Sequence, residues 1–305
     1  MLTKKEMDLK ISQLPRVIYV ARETLEEVAR ITRIARTDQT TREGVLEKES
    51  HQSIRTSMDM KAQEIILKRM RGEFPKALIV TEEEVGVNFE NFLANENDVR
   101  QGSLIMVVDP LDGTAQCFSG LDQFSLSLGL IEKKEYVGGV ISSPVFGGGF
   151  TVYGTVDDCV FVKHGDVNSV ARVSCEKDII GKSVILYGVD LPRHANLYGL
   201  LNKVSREFLI ANSMGSCALG LAMLAIGKVD GFVQSPQEPW DWAAGYPLVL
   251  GAGGYVQFYE INSEKEIILI KKPELRHMIL KGNKLGFVAA NSLTLLKQLQ
   301  EMLMK

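Results

Sequence analysis

The order of apolar runs along the chain restricts the fold more than any other feature of the sequence. Apolar residues recur at helical spacing in 17–34 and again in 54–70, which predicts two amphipathic helices. Short apolar runs follow at 77–80 and 104–108, and the alternating polarity of 124–142 around a charged turn predicts a β-hairpin. The first half of the chain therefore predicts two helices followed by strands that include a β-hairpin, an α+β arrangement.

Beyond residue 163 the pattern changes to strands that alternate with helices. The predicted strands are 183–187, 208–210, 229–234, 255–259, 267–270 and 286–289. The predicted helices are 194–206, 217–226, 242–250 and 293–304. We therefore expect a chain of the α+β and α/β classes with two tightly packed lobes, an N-terminal α+β lobe of residues 1–160 and a C-terminal α/β lobe of residues 161–305 that completes the site.

The charge and cysteine content exclude several classes of function. The 305 residues carry 35 Lys and Arg against 38 Asp and Glu, and this net charge of −3 argues against a nucleic-acid-binding surface. No run approaches the ~20 apolar residues that span a bilayer, and the charged N-terminus lacks the apolar core of a signal peptide, so we expect a cytoplasmic protein. The cysteines show no metal-binding or disulfide spacing and stand at Cys117, Cys159, Cys175 and Cys217. Any metal would have to be held by carboxylates.

Two aspartates share one stiff turn in the segment VVDPLDGT, residues 107–114. Pro110 restricts the backbone between Asp109 and Asp112, and Gly113 permits close approach of the chain. Two carboxylates on one turn repel each other unless a cation neutralises them, and Mg²⁺ prefers such oxygen ligands. An Asp-rich surface turn is the alternative interpretation.

Acidic residues elsewhere favour the metal interpretation. Glu82–Glu84 directly follow one predicted strand, as Asp109 follows another, so two strand ends deliver carboxylates to one place. Asp241 lies between two tryptophans at the start of a predicted helix. Helix capping would explain Asp241 if it stood alone, but a carboxylate there can also share a metal while free N–H groups of the helix face a phosphate.

Several separated motifs together resemble one family. In chain order they are Thr56, Asp59 and Glu64 in a T-x-x-D-x-x-x-x-E pattern, the pair Glu82–Glu83, DPLDGT at 109–114, Gly215–Ser216–Cys217 before a helix, and WDWAAG at 240–245. This set is similar to that of the inositol monophosphatase superfamily, the lithium-sensitive, Mg-dependent phosphatases. The resemblance implies a layered αβαβα sandwich of the sugar-phosphatase (fructose-1,6-bisphosphatase-like) type.

The resemblance also implies a role for each matching residue. Two or three Mg²⁺ ions would be held by Glu82, Asp109, the carbonyl of Leu111, Asp112 and Asp241. Thr114, paired with Asp59, would orient and deprotonate the attacking water, and Glu82 would be a further catalytic group. The phosphate and the rest of the substrate would contact Gly113, Thr114, Gly215, Ser216, Cys217, Gln234 and Asp241. Glu83 and Lys48 are further candidates, and Lys48 falls in a polar stretch, 37–53, that predicts an exposed loop.

The motifs leave more than one substrate open. The family position that contacts inositol hydroxyls with a glutamate falls on Gln234, which can hydrogen-bond but carries no charge. We expect a Mg-dependent phosphomonoesterase of the inositol-1-monophosphatase type, which hydrolyses a small phosphorylated alcohol by metal-activated water, is inhibited by lithium and forms a homodimer. The alternatives are a 3'(2'),5'-bisphosphate nucleotidase, a fructose-1,6-bisphosphatase and a catalytically inactive metal-binding homologue. No nucleic-acid or membrane partner is expected.

Overall fold

The computed structural model describes residues 13–37, 46–47, 54–82, 104–175, 182–194, 197–274, 276–277 and 282–304. Within these ranges the strands form two large sheets and one short antiparallel pair, β1 (Leu46–Glu47) with β2 (Ile54–Arg55). Helices lie outside and between the two large sheets. The result is the predicted layered α+β sandwich.

The first sheet holds seven strands that lie side by side in the order of the sequence. They are β3 (Leu78–Thr81), β4 (Leu104–Asp112), β5 (Ser125–Glu132), β6 (Glu135–Ser143), β7 (Phe150–Thr155), β8 (Val160–His164) and β9 (Val167–Val170). Only the β3–β4 pair among these strands is parallel. The predicted hairpin is confirmed as β5 and β6.

The second sheet holds six strands of mixed direction. They are β10 (Val184–Gly188), β11 (Ile210–Met214), β12 (Gly231–Gln237), β13 (Tyr255–Ile261), β14 (Ile267–Ile270) and β15 (Leu285–Ala290). Their spatial order is β11-β10-β12-β15-β13-β14, and β10 is parallel to both of its neighbours.

The helices complete three α layers around the two sheets. They are α1 (Gln13–Thr37), α2 (Ser57–Glu73), α3 (Thr114–Phe118), α4 (Tyr198–Glu207), α5 (Cys217–Ala225), α6 (Pro239–Trp242), α7 (Gly245–Gly251) and α8 (Leu293–Leu303). Helices α1 and α2 cover the outer face of the first sheet, α4 and α8 cover the outer face of the second, and α5 to α7 fill the space between the sheets.

The burial of β4 shows why this strand reads as one continuous apolar run. Ile105 and Val107 pack towards the middle helices, whereas Met106 and Val108 pack towards α1 and α2. Because alternate side chains of a strand point to opposite faces, a strand covered by helices on both faces must be apolar throughout.

Small residues on β5 and β6 let the middle helices approach the first sheet closely. Gly129 and Gly139 oppose each other in the β5–β6 register. A Cβ on Gly129 would lie 2.5 Å from the carbonyl carbon of Ala243, and a Cβ on Gly139 would lie 2.8 Å from the Cα of Ala244. The junction of α6 and α7 therefore rests directly on the sheet backbone.

Several predicted boundaries in the C-terminal half are wrong, two of them by four residues. The strand expected at 208–210 is β11, at Ile210–Met214, and the helix expected from His194 begins at Tyr198. β11 is an edge strand with Ile210 exposed, so its apolar pattern is weak. His194 has an extended backbone after a 3₁₀ turn at Leu191–Arg193, so the helix cannot include it.

The predicted division at residues 160/161 falls inside β8, within the first sheet, and the two lobes stay a prediction. None of the helices in the described ranges is both long and apolar enough to cross a membrane.

Candidate active site

Parallel pairing of β3 and β4 brings the two predicted acidic strand ends together. Thr81 lies opposite Val108 in this register, so Glu82 and Asp109 follow on neighbouring strands. Asp109 is buried, and its Oδ1 accepts a hydrogen bond of 2.9 Å from the N–H of Leu111. The sequence prediction that both strands end at one acidic place is confirmed.

The DPLDGT turn is shaped by Gly113. Its φ of +90° lies in the left-handed region, and a Cβ there would lie 2.9 Å from the backbone oxygen of Gln123. Only glycine meets both conditions without strain. The turn thereby directs the chain from Asp112, at the end of β4, into α3, which begins at Thr114.

The start of α5 holds Asp112 rather than leaving it to point freely into the site. One oxygen, Oδ2, accepts hydrogen bonds from the N–H of Ala218 at 2.6 Å and from the hydroxyl of Ser216 at 2.7 Å. The Oγ of Ser216 also lies 2.9 Å from that of Ser125 on β5. In this structure the predicted phosphate-binding segment 215–217 thus contacts the first sheet through Asp112 and Ser125.

Asp241 reaches the same place from α6. It occupies the third position of α6, where its Oδ2 accepts a hydrogen bond of 2.9 Å from the N–H of Glu238. One carboxylate oxygen of each of Asp109, Asp112 and Asp241 lies within 4.8 Å of the other two. These three acidic residues are placed to bind a metal.

The electrostatics of this cluster disfavour three ionised carboxylates. Burial, followed by repulsion from Glu82, raises the pKa of Asp109 well above its usual range. Burial raises the pKa of Asp112 to about 7, although the hydrogen bonds from Ser216 and Ala218 act to lower it. Burial and the charge of Asp112 raise the pKa of Asp241 well above its ordinary value.

A hard divalent cation fits this donor set. In the part of the chain that the structure describes, no lysine or arginine pairs with any of the three aspartates. Three carboxylates that are so close and so poorly hydrated cannot all ionise without a counter-charge. Their oxygens are the ligands that Mg²⁺ prefers.

Asp59 and Thr114 form a second group beside the cluster, as predicted from the motifs. The hydroxyl of Thr114 lies 2.7 Å from Asp59 Oδ1 and 2.9 Å from the carbonyl oxygen of Leu111. The other oxygen of Asp59 accepts from the backbone N–H of Thr56 at 2.8 Å and from its hydroxyl, which fixes the carboxylate at the start of α2. Asp59 is completely buried.

Cys217 and Gln234 lie on the side of the cluster that faces the second sheet. Both side chains are buried, and burial raises the pKa of the Cys217 thiol well above its usual range. The amide oxygen of Gln234 has no hydrogen-bond partner and occupies the space that a Cβ on Gly188 would need. Similarly, the side chain of Gln116 fills the space beside Gly215.

Two candidates cannot be placed. Lys48 and Glu83 lie outside the described residues, as does most of the 37–53 stretch. The roles predicted for the other site residues stay predictions, because a position near the cluster does not by itself establish a role.

Sequence reasoning missed three groups that orient the site. They are the hydroxyl of Ser125, the N–H of Ala218 and the backbone N–H of Glu238. Only Glu238 has a local signal, since Asp241 follows it at the third position, where the acidic residue of a capping box accepts from the N–H of the N-cap residue. Ser125 and Ala218 contact the site through tertiary packing and have no such signal.

Comparison with known proteins identifies the family. The model of the inositol monophosphatase family matches residues 13–301. A Thermotoga maritima protein named fructose-1,6-bisphosphatase/inositol-1-monophosphatase is 30% identical over 216 residues, which are 70% of this chain and 75% of that protein. The Nus factor SuhB of Pasteurella multocida is 29% identical over 205 residues, 66% of this chain and 70% of its own.

Solved structures agree with this assignment. The extragenic suppressor protein suhB from Bartonella henselae has a TM-score of 0.70 at 25% identity and covers 95% of this chain and 99% of its own. The Thermotoga maritima IMPase has a TM-score of 0.70 at 23% identity, covers 95% of this chain and 97% of its own, and shows the same fold. The chain belongs to the inositol monophosphatase family, whose members are phosphatases that act on small phosphorylated substrates.

Proposed function

We propose that this chain is a magnesium-dependent phosphomonoesterase that hydrolyses a small phosphorylated alcohol and is of the inositol-1-monophosphatase type. The observation that carries the proposal is the approach of Asp109, Asp112 and Asp241 to within 4.8 Å beside the hydrogen bond between Thr114 and Asp59. A cation site next to a polarised hydroxyl is what water-driven phosphoryl transfer requires.

Five oxygen ligands would hold two or three Mg²⁺ ions. They are the carboxylates of Glu82, Asp109, Asp112 and Asp241 and the carbonyl of Leu111. When bound, Mg²⁺ supplies a Lewis acid that neutralises charge on the phosphoryl group and makes water a better nucleophile at neutral pH.

Thr114 and Asp59 would orient the attacking water and take up its proton. When Thr114 donates its hydroxyl proton to Asp59 Oδ1, at 2.7 Å, its oxygen lone pairs are free to accept a hydrogen bond from water. Asp59 is fixed on its far side by Thr56, so it can hold the hydroxyl in this direction.

The phosphate would lie against the N–H groups of Gly113 and Thr114. The start of α5, at Gly215, Ser216 and Cys217, would contribute in a different way, since Ser216 and Ala218 already hydrogen-bond to Asp112. We propose that this segment acts on the substrate mainly by fixing Asp112. Its Cys217 would line the site together with Gln234.

The uncharged side chains of Cys217 and Gln234 would affect how the alcohol part of the substrate is recognised. It offers no carboxylate to substrate hydroxyls, so the substrate need not be inositol 1-phosphate. A sugar bisphosphate is the second candidate, favoured by the relative named for both activities. A 3'(2'),5'-bisphosphate nucleotide is the third candidate.

A phosphate-release assay tests the proposal. Inositol 1-phosphate, fructose 1,6-bisphosphate and adenosine 3',5'-bisphosphate are each incubated with the full chain, with Mg²⁺ and with a chelator. We expect Mg-dependent release from at least one of them and its loss in Asp112→Asn and Asp241→Asn, whereas Glu135→Gln, a surface substitution away from the site, keeps it. Failure to hydrolyse any of the three would favour a catalytically inactive metal-binding homologue.

Three further properties belong to the same proposal. We propose that the enzyme is inhibited by millimolar lithium, that it forms a homodimer and that it acts in the cytoplasm. All four cysteines are free thiols, which supports a reducing location.

A further inference from the structure

The side chain of Glu238 meets hydrogen-bond donors from a distant part of the chain. Glu238 is the N-cap residue of α6, and its backbone carbonyl accepts a hydrogen bond of 3.2 Å from the N–H of Asp241. The oxygen Oε2 also accepts from the N–H of Gly282 at 2.9 Å, and Oε1 lies 3.6 Å from the Nζ of Lys284. The Glu238 side chain is only 13% exposed, so these contacts are largely shielded from water.

The contact between Glu238 and Asp241 runs in both directions. While the backbone carbonyl of Glu238 accepts from the N–H of Asp241, the N–H of Glu238 donates to Asp241 Oδ2 at 2.9 Å. Asp241 is one of the three carboxylates of the candidate metal site. A change in the position of Glu238 therefore moves the side chain of a metal ligand.

Helix capping alone does not explain a glutamate here. Serine, threonine, aspartate and asparagine are the preferred N-cap residues, because their short side chains reach the free N–H groups of the first turn. The longer glutamate side chain contributes nothing to this capping and instead reaches Gly282 and Lys284, which lie just before β15. Its length is accounted for by the tertiary contact.

We infer that Glu238 is a positioning residue that fixes Asp241 for metal binding, and that Lys284 and the N–H of Gly282 secure Glu238 from the far side. This inference rests on the proposed function in that Asp241 is taken as a metal ligand. The segment before β15, which contains Gly282 and Lys284, would then influence metal affinity although it supplies no metal ligand.

Mg²⁺ binding to the full chain, measured by calorimetry with MgCl₂ and no substrate, tests this inference. Substitutions of residues that orient metal ligands typically weaken metal binding by about 10- to 100-fold. We expect Glu238→Ala to weaken Mg²⁺ binding by at least about tenfold, and Glu238→Ser, which supplies a capping hydroxyl but not the distant contact, to recover only part of this loss. Glu238→Gln, which keeps one acceptor oxygen at full length, should be closest to the parent.

Lys284 provides a test of the distant contact. Lys284→Met should weaken Mg²⁺ binding about threefold, and adding it to Glu238→Ala should cause no further loss, because both changes break one contact. The matched control is Glu135→Ala, which removes the exposed ion pair to Lys272 and should leave Mg²⁺ affinity within about twofold of the parent.

Hydrogen exchange in the metal-free protein gives a second readout that does not depend on activity. Amides of residues 240–243 should exchange faster in Glu238→Ala and Lys284→Met than in the parent and in Glu135→Ala. A merely structural effect would instead lower the unfolding temperature without a selective change at α6. If Glu238→Ala does not fold, Glu238→Gln and Lys284→Met carry the test.

The outcomes separate this inference from the proposed function. Parent-like Mg²⁺ affinity in folded Glu238→Ala overturns the inference and leaves the phosphatase proposal intact. A parent chain that binds Mg²⁺ but hydrolyses none of the three substrates overturns only the proposed function. A parent chain that binds no Mg²⁺ overturns both.

Discussion

At the scale of single residues, the position of one hydroxyl proton decides what Thr114 can do. The hydroxyl has one proton and two acceptors in reach, Asp59 Oδ1 at 2.7 Å and the carbonyl of Leu111 at 2.9 Å. The carboxylate is the stronger acceptor, since hydrogen bonds to ionised groups are about twice as strong as neutral ones. The lone pairs of Thr114 are then directed away from Asp59.

This arrangement predicts different effects for two substitutions of Thr114. Thr114→Val keeps the shape but removes the hydroxyl, and we expect kcat to fall by about 10²- to 10⁴-fold, the usual contribution of a positioned proton acceptor. Thr114→Ser keeps the hydroxyl and should retain activity within about tenfold. Steady-state rates with saturating Mg²⁺ measure both, and an active Thr114→Val would exclude the role proposed for this hydroxyl.

The buried carboxyl of Asp112 predicts how pH affects the stability of the metal-free protein. Its pKa is raised to about 7 by burial, so the folded protein binds this proton more tightly than the unfolded chain does. The resulting stability is fully present below the unfolded pKa of about 4 and is lost as pH rises through about 7. We expect the unfolding temperature in a chelator to fall between about pH 5 and pH 7.5.

Mg²⁺ and one variant provide the controls for this pH effect. Mg²⁺ should raise the unfolding temperature more at the higher pH, because the carboxylates are then ionised without competition from protons. Asp112→Asn should show a smaller fall with pH, since it lacks the titrating group. A pH dependence equal to that of the parent would assign the effect to other groups.

At the scale of elements, the surface of the first sheet on which α6 and α7 pack sets the position of Asp241. Gly129 and Gly139 form one cross-strand pair, and Ala243 and Ala244 pack on it. The hydroxyl of Ser127, on the same face of β5, donates to the carbonyl oxygen of Trp240 at 3.2 Å. The small residues of WDWAAG are therefore matched to small residues of the β5–β6 hairpin.

A larger residue on this packing surface should lower stability and weaken metal binding together. Gly139→Ala places a Cβ 2.8 Å from both the Cα and the backbone oxygen of Ala244, so we expect a loss of about 1–3 kcal/mol in the free energy of unfolding and weaker Mg²⁺ binding. Gly72→Ala, with no atom within 4 Å of the new Cβ and in the last turn of α2, should be neutral or stabilising. Chemical denaturation and calorimetry measure the two effects. Unchanged Mg²⁺ affinity in Gly139→Ala would show that this packing surface does not position Asp241.

At the scale of the whole molecule, the two sheets share one hydrophobic core. This core joins Val107 and Ile131 of the first sheet to Phe232 and Phe287 of the second through the middle helices. The candidate metal site lies at the same junction, with Asp109 and Asp112 on β4 and Asp241 on α6. Because the two sheets share this core, it does not favour independent unfolding of either sheet.

We therefore expect one cooperative unfolding transition for the whole chain. Both tryptophans, Trp240 and Trp242, are buried in α6, so their fluorescence reports the middle layer, whereas circular dichroism reports all elements. The two signals should change at one midpoint, and Mg²⁺ at about 100 times its Kd should raise the free energy of unfolding by about 2.7 kcal/mol for each site. Two separate midpoints would instead support lobes that unfold independently.

Local patterns were sufficient to predict most elements and the first half of the site. Apolar runs that end in acidic residues predict β3 and β4, and parallel pairing of those strands places Glu82 beside Asp109. The helix predicted at 54–70 is present but begins at Ser57, because Thr56 caps it and Ile54–Arg55 form β2. Edge strand β11 was misplaced, because a strand that is half exposed lacks a clear apolar pattern.

The sequence by itself determined the elements and the chemistry at their ends, since hydrophobic period, turn residues and carboxylates are local properties of the chain. Only the tertiary structure decided which ends meet: Asp112 with the start of α5, 104 residues away, and Glu238 with Gly282. It also showed that the Gln234 amide is buried against Gly188 and Cys217. These contacts depend on how closely helices and sheets can approach, which is set by small residues on facing surfaces and by no pattern within one segment.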